Sequence, residues 1–377
     1  MKFIRLKAIA WKEFLQIVRD PRSLALAISI PALLLLLFGY ALTLDVDRIP
    51  TVVYDLDRTP ASRDLSDHFF RTKYFQLLTY AGSYPQLQEM LDSGQALMGL
   101  VIPANFSRDL QADRESTIQL LMDGTDANTA TIALGYASAI VTLYSQELIQ
   151  HKMNRLGVGK ISPPIEPRIR IWFNPDLESK NFIVPGLIAV IMVILAAILT
   201  SGTVAREWER GTMEQLISTP IRNAELVLGK LIPYFAIGLL DLGLSVAMGR
   251  FLFGVPLRGS GFLLFSLAGL FLLGAICQGV VVSIIAKNQL LSSQISIFLS
   301  YLPTFILSGF IYPIDNMPKL IQFITYIFPS RYVVSILKGI FSKGIGLEFL
   351  WLEGLLLAVY ASVMIFWALK RFQKRIG

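Results

Sequence analysis

Residues able to do covalent or redox chemistry are scarce in this chain. Cys277 is the only cysteine, and His68 and His151 are the only histidines. That excludes an internal disulfide framework and a CxxC metal or redox motif, and leaves little for a histidine-based metal site. GxSxG, HExxH and an Asp-x-Asp-x-Asp-Gly loop are all missing. So is GxxxxGK[ST], the loop whose backbone amides cradle nucleotide phosphates; Gly229-Lys230 runs into Leu231 with no glycine at the required upstream spacing. What the chain does carry is dense alternating charge at Arg206-Glu207-Trp208-Glu209-Arg210-Gly211-Thr212-Met213-Glu214, closed by Ser218-Thr219-Pro220. Such a run makes ion pairs and charge-assisted hydrogen bonds. It reads as a rigid knuckle for docking a soluble partner, since a mere connection between helices needs only about two to eight residues.

The elements that must hold this knuckle are membrane spans. Hydrophobic residues make up 54% of the 377 and charged residues only 16%, against about 45–50% and about 25% in soluble domains. A spanning helix needs about 20 apolar residues, and six stretches qualify. Residues 24–44, 182–204, 259–286 and 288–314 contain no Asp, Glu, Lys or Arg, 231–249 contains only Asp241, and 349–369 only Glu353. Lys287 marks a tight hairpin between the fourth and fifth spans. The first stretch reads as a retained anchor rather than a cleaved signal, because its basic leader is too long and no A-x-A-like site follows.

Lys and Arg in the short segments set the orientation. Fifteen fall on the side of the two termini, the loop after the second span and Lys287; six fall on the other. Both termini are therefore expected to be cytoplasmic, and residues 45–181 to lie outside. That segment carries 13 basic and 17 acidic residues, so the net charge of +7 records membrane orientation rather than a nucleic-acid footprint. Within it, runs at 51–54, 75–80, 96–102, 118–122 and 168–173 predict strands, and 60–71, 84–93, 103–112 and 127–154 predict helices, a small α/β domain. Asp55 and Asp57, and Asp123 and Asp126 around Gly124, read as solvated turn acids in preference to a cation site.

Residues 2–20 have a helical period. Phe3, Ile4, Ala8, Trp11, Phe14, Leu15 and Val18 share one arc, and Arg5, Lys12, Glu13, Gln16 and Arg19 lie opposite. Such a helix is expected to lie flat at the cytoplasmic interface, with Pro21 ending it. Residues 320–330 are apolar but too short to span, which suits a re-entrant segment.

Three motifs carry a resemblance: 206–230, the leader Trp11-Lys12-Glu13 with Arg19-Asp20-Pro21, and Leu307-Ser308-Gly309-Phe310-Ile311-Tyr312-Pro313-Ile314-Asp315-Asn316-Met317-Pro318. The whole chain resembles the type-2 permeases of ATP-binding-cassette exporters, closest to bacterial multidrug-efflux permeases with a large domain after the first span. The resemblance implies an all-α six-helix membrane domain with an inserted extracytoplasmic α/β domain: an elbow helix at 1–22, a first span at 23–44, the insert at 45–181, and five spans over 182–377. It places a coupling loop at 205–230 and an outer re-entrant segment at 313–345. It assigns ATPase coupling to Trp11, Glu13, Arg19, Arg206, Glu207, Glu209, Arg210, Gly211, Thr212 and Glu214. The implied partners are a dimer of ATPase subunits that binds ATP and Mg, a second copy or sister permease, membrane lipid and a periplasmic adaptor, with no nucleic acid. The implied location is the bacterial inner membrane, with no cofactor on this chain and no catalysis by it alone.

Residues placed in a substrate pathway are Phe182, Asp241, Gln294, Phe298, Thr304, Phe305 and Ser308. Asp241 falls midway along its span, where an ionised acid is expensive. It reads first as a structural acid at a helix contact, and second as a counter-charge for a cationic substrate or a proton-coupled group. Gln278, Gln294, Thr304 and Ser308 suit interhelical hydrogen bonds as well as a pathway. The leading expectation is export of amphipathic small molecules, with export of a lipid or glycan second and a membrane-anchored receptor or scaffold a distant third.

Overall fold

The computed structural model describes residues 3–41, 46–112, 114–155, 172–174, 178–219 and 221–372. In chain order the elements are α1 (Phe3–Val18), α2 (Pro21–Ala41), β1 (Ile49–Asp55), α3 (Pro60–Phe70), β2 (Phe75–Tyr80), α4 (Tyr84–Asp92), β3 (Met98–Ile102), α5 (Phe106–Gln111), β4 (Gln119–Met122) and α6 (Ala127–Arg155). They continue with α7 (Lys180–Ser201), α8 (Ala205–Glu209), α9 (Thr212–Ser218), α10 (Asn223–Ala247), α11 (Gly261–Ala286), α12 (Gln289–Leu307), α13 (Lys319–Thr325), α14 (Pro329–Lys338) and α15 (Leu347–Arg371). The chain divides into two units, residues 44–169 and the remainder.

The smaller unit is a four-stranded sheet in the order β2-β1-β3-β4. β1 is parallel to both β2 and β3, and β4 is antiparallel to β3. Alternation along β1 sends Val53 to one face, against Phe69 of α3 and Ala137 and Tyr144 of α6, and Val52 to the other, against Leu87 of α4. β3 is apolar throughout because both of its faces are covered. Thr59 caps α3 through Ser62 N–H, with Pro60 at the first helical position, where its missing N–H costs nothing. Asp55 and Asp57 are fully used as turn and cap acceptors. Asp55 accepts from the Asp57 and Arg58 amides and the Ser62 hydroxyl, and Asp57 from the amide and hydroxyl of Ser107. The strand expected at 168–173 lies mostly outside the described residues.

In the larger unit α7 is apolar all round and buried along nearly its whole length, which places it at the centre of the bundle. It packs against α2, α10, α11, α12 and α14. Gly186 lets the Phe310 ring lie on α7, where a Cβ would sit 2.3 Å from it. Among the described residues six helices are long and apolar enough to cross a membrane: α6, α7, α10, α11, α12 and α15. α6 is long and apolar enough, yet its Ala133, Ala137, Ile140 and Tyr144 close the sheet core. α2, with 21 residues, is about 30 Å long at about 1.5 Å per residue and takes the remaining place in the set.

The fifth span stops earlier than its charge-free stretch. α12 ends at Leu307, and Gly309 adopts φ +78°, turning the chain away. After it, α13 and α14 meet at 87°, a bent pair where the sequence predicts a re-entrant segment. Lys287 takes a left-handed conformation (φ 53°) in the hairpin between α11 and α12.

Candidate functional site

α1 packs along α10 and has three faces rather than the two expected. Phe3, Ile4, Trp11, Phe14 and Val18 are exposed, as an arc lying in lipid requires, with Trp11 stacked on Phe14. Ile9, Glu13 and Ile17, one turn apart, form a buried seam. Gly229 of α10 receives Ile9, for a Cβ there would lie 2.7 Å from its side chain. Glu13, expected on the polar side with Lys12, is only 2% exposed.

The reason is a four-charge cluster. Lys230, also 2% exposed, extends its ammonium to Glu13 Oε1 at 2.7 Å, Glu207 Oε1 at 3.3 Å and the Thr203 carbonyl at 3.3 Å. Lys12 reaches Glu207 Oε1 at 2.6 Å and Glu13 Oε1 at 3.2 Å. Thr212 donates its hydroxyl to the other Glu207 oxygen. Two ammonium and two carboxylate groups sum to zero: Glu13, Glu207 and Lys230 are buried and the partly exposed Lys12 supplies the balancing charge, the condition under which buried charge is tolerated. Burial alone would push the Glu207 carboxyl up; Lys230, Lys12 and Thr212 outweigh it and hold it down to about 2. Burial likewise opposes the Lys12 charge, and Glu13 and Glu207 raise its pKa above the ordinary lysine value.

The cluster fastens α1, α8, α9 and α10 at one point, and further bonds tie the knuckle to the α11–α12 hairpin. Ser283 accepts the amides of Val204 and Ala205 at 3.0 and 2.9 Å. Glu209 accepts the Gln289 amide at the start of α12 at 2.8 Å. Lys287 lies 4.7 Å over the Trp208 ring, and Ser292 donates to the Ser201 carbonyl. Gly211, at φ +68°, reverses the chain between α8 and α9, a conformation that a side chain would strain. What remains outward is Glu209, Arg210, Gly211 and Glu214, with Arg19 and Lys12 exposed on α1 and Arg206 half-buried. A cleft of about 410 Å³, bounded by Ile9, Leu216, Ile221 and Leu226 above Lys12 and Glu13, separates α1 from α9.

The pathway candidates do not converge. On α12, Gln294 and Phe298 are exposed, whereas Thr304 is buried and donates to the Ser300 carbonyl; Ser308, just past the end of α12, is buried and accepts the Phe310 amide. Phe305 contacts Tyr301 and Phe310. Phe182 lies under the Lys338 ammonium, 3.3 Å from the ring centre. Asp241 is on α10, whose principal neighbours do not include α12. It is 4% exposed, and neither carboxylate oxygen has a hydrogen-bond partner among the described residues.

Lys12 and Lys230 complete this cluster and were not among the site residues read from the sequence. The available signal was a lysine directly after Gly229 in the apolar run opening the third span, together with the Ile9/Glu13/Ile17 spacing. The family described as "ABC-2 family transporter protein" matches residues 21–370. The chain is 38% identical over 341 residues to the probable multidrug ABC transporter permease YbhS of Escherichia coli, covering 90% of this chain and 89% of the relative. It is 32% identical over 350 residues to the probable multidrug ABC transporter permease YbhR of the same organism, covering 93% of each. Identity to the E. coli inner membrane transport permease YhhJ is 30% over 337 residues, with 87% and 86% covered.

Proposed function

The chain belongs to the ABC-2 transporter family, and on that premise we propose that it is the membrane-spanning subunit of an ATP-driven exporter of amphipathic small molecules. The observation that carries this reading is the Lys12/Glu13/Glu207/Lys230 cluster. It ties α8 to α1 and α10, with Thr212 of α9 bonded to Glu207, and leaves Arg210, Gly211 and Glu214 outward. A surface built that way accepts a push from a soluble ATPase carried on a separate chain.

Movement of the knuckle reaches two spans at once: α10 through Lys230, and α12 through the Glu209 bond to the Gln289 amide. ATP and Mg bind on the partner, whose closure biases a two-state change between inward- and outward-open permease. In this reading two permease subunits pair, both termini and the knuckle face the cytoplasm of a bacterial inner membrane, and residues 45–181 face outward, where a periplasmic adaptor can engage them. Names of the relatives support drugs as cargo ahead of lipid or glycan.

The test is co-purification from native membranes. An ATPase with a Walker motif is expected to travel with the chain and to turn over ATP faster in its presence. A permease that purifies alone, with unchanged nucleotide turnover in membranes carrying Glu207→Lys, contradicts the proposal.

A further inference from the structure

A cavity of about 380 Å³ lies between α11, α12 and α15, roofed by the bend between α13 and α14. Its walls are aliphatic and aromatic apart from Ser330 at the roof and one polar track, where Thr304 donates to the Ser300 carbonyl. There the Tyr360 hydroxyl donates to Gln278 Oε1 at 2.7 Å, and Gln278 Nε2 donates to Ser300 Oγ at 3.1 Å. The track is held in place by a close approach of helices: a Cβ on Gly274 of α11 would lie 2.4 Å from the Tyr360 ring. At the roof Ser330, 1% exposed, has a hydroxyl with no hydrogen-bond partner among the described residues. A hydroxyl left unpaired in apolar surroundings is costly, and an acceptor on a bound molecule would satisfy it. Leu299, Ile327 and Trp367 are at once lining residues and exposed, so in a bilayer the mouth of the cavity meets lipid.

We propose that this cavity binds a drug-sized amphipathic molecule carrying a hydrogen-bond acceptor, admitted from the bilayer into a single permease subunit. An apolar enclosure of this volume with a few convergent polar groups is the usual form of a small-molecule site. The apolar body contacts Phe271, Leu299 and Met364, and the acceptor meets Ser330 or the Gln278–Ser300 pair. The inference rests on the export reading and deepens it, placing a loading site inside one subunit and away from the α12 face that carries Gln294 and Phe298.

The test is photolabelling of the full chain, with whatever subunits accompany it, in lipid nanodiscs, using a diazirine-bearing alkyl ester as the probe. Label is expected on α11, α12 and α15. Ala275→Phe, which fills the cavity, and Gln278→Leu should each lower labelling about tenfold, the effect of about 1.4 kcal/mol. Ser330→Ala removes one buried oxygen and should lower labelling about fivefold, so the proposal stays testable if Ala275→Phe fails to fold. Label spread over lipid-facing surfaces and unchanged by these variants overturns the proposal. So does a disulfide between copies through Leu299→Cys that excludes the probe, because a second subunit then fills the mouth. If labelling follows the cavity while no ATPase associates, the export reading fails and the site stands; with an ATPase bound and labelling indifferent to the variants, only the site fails.

Discussion

Lys230 and Glu13 are 217 positions apart in sequence, yet the Lys230 ammonium lies 2.7 Å from Glu13 Oε1, with both side chains 3% exposed. The pair joins the amphipathic leader to the third span. With Glu207 and Lys12 it forms a neutral cluster in which removal of one member strands an uncompensated buried charge. Glu13→Gln and Lys230→Met should each destabilise the protein by about 3–5 kcal/mol, whereas the double replacement should be far milder than the sum. Thermal unfolding of the purified protein measures both; additive losses would contradict the pairing.

Gly229 sets how closely the leader approaches α10. Gly229→Leu drives a side chain into Ile9, so α1 should leave its seam. Limited trypsin cleavage at Arg19, slow in the parent, should become rapid. An unchanged cleavage rate would show that the elbow does not depend on this contact.

Acid should test the cluster from the other direction. Glu207 is held at about 2, below the ordinary 4.5, so its contribution is complete above pH 4.5 and fades as pH falls from there toward 2. Lys12 has the opposite sign: its raised pKa keeps its contribution complete below 10.5, to be lost only at higher pH. Docking of α1, followed by the distance between spin labels placed at the exposed Lys7 and Glu214, should therefore be flat from about pH 5 to 9. A transition near neutral pH would contradict the arrangement.

How much of this was readable in advance depends on the range of the signal. The spans were legible because the absence of charge over 20 residues is a local property, as was the α/β alternation around Val52 and Val53. The knuckle stood out because Arg206 to Glu214 concentrates charge between apolar stretches. Glu13 was misplaced because a two-faced reading of α1 sorts residues only into apolar and polar. A carboxylate that faces protein and is neutralised by lysines from α1 itself and from α10 belongs to neither class. The end of α12 at Leu307 was likewise hidden, since Gly309 and the packing of Phe310 on Gly186 set it, while the apolar run continues to residue 314.

Asp241 offers a contrast to the cluster, because both of its oxygens lack partners among the described residues. Loss of an acid without hydrogen bonds removes little. Asp241→Asn should change stability by under about 1 kcal/mol and leave the ratio of transport rates for a cationic and a neutral substrate unaltered. A selective loss of the cationic substrate would instead make Asp241 a counter-charge in the pathway.

On the proposed function, the outward face of the knuckle receives an ATPase while its inward face holds the spans. The decisive measurement reverses charge on the outward face alone, with Arg210→Glu and Glu214→Lys combined, and follows ATP turnover and ATPase co-purification against thermal stability. The associated ATPase and permease-dependent turnover should be lost, with an unfolding temperature within about 2 °C of the parent, because exposed substitutions are usually worth under about 0.5 kcal/mol. Full association and turnover in the folded double variant would contradict the proposed function.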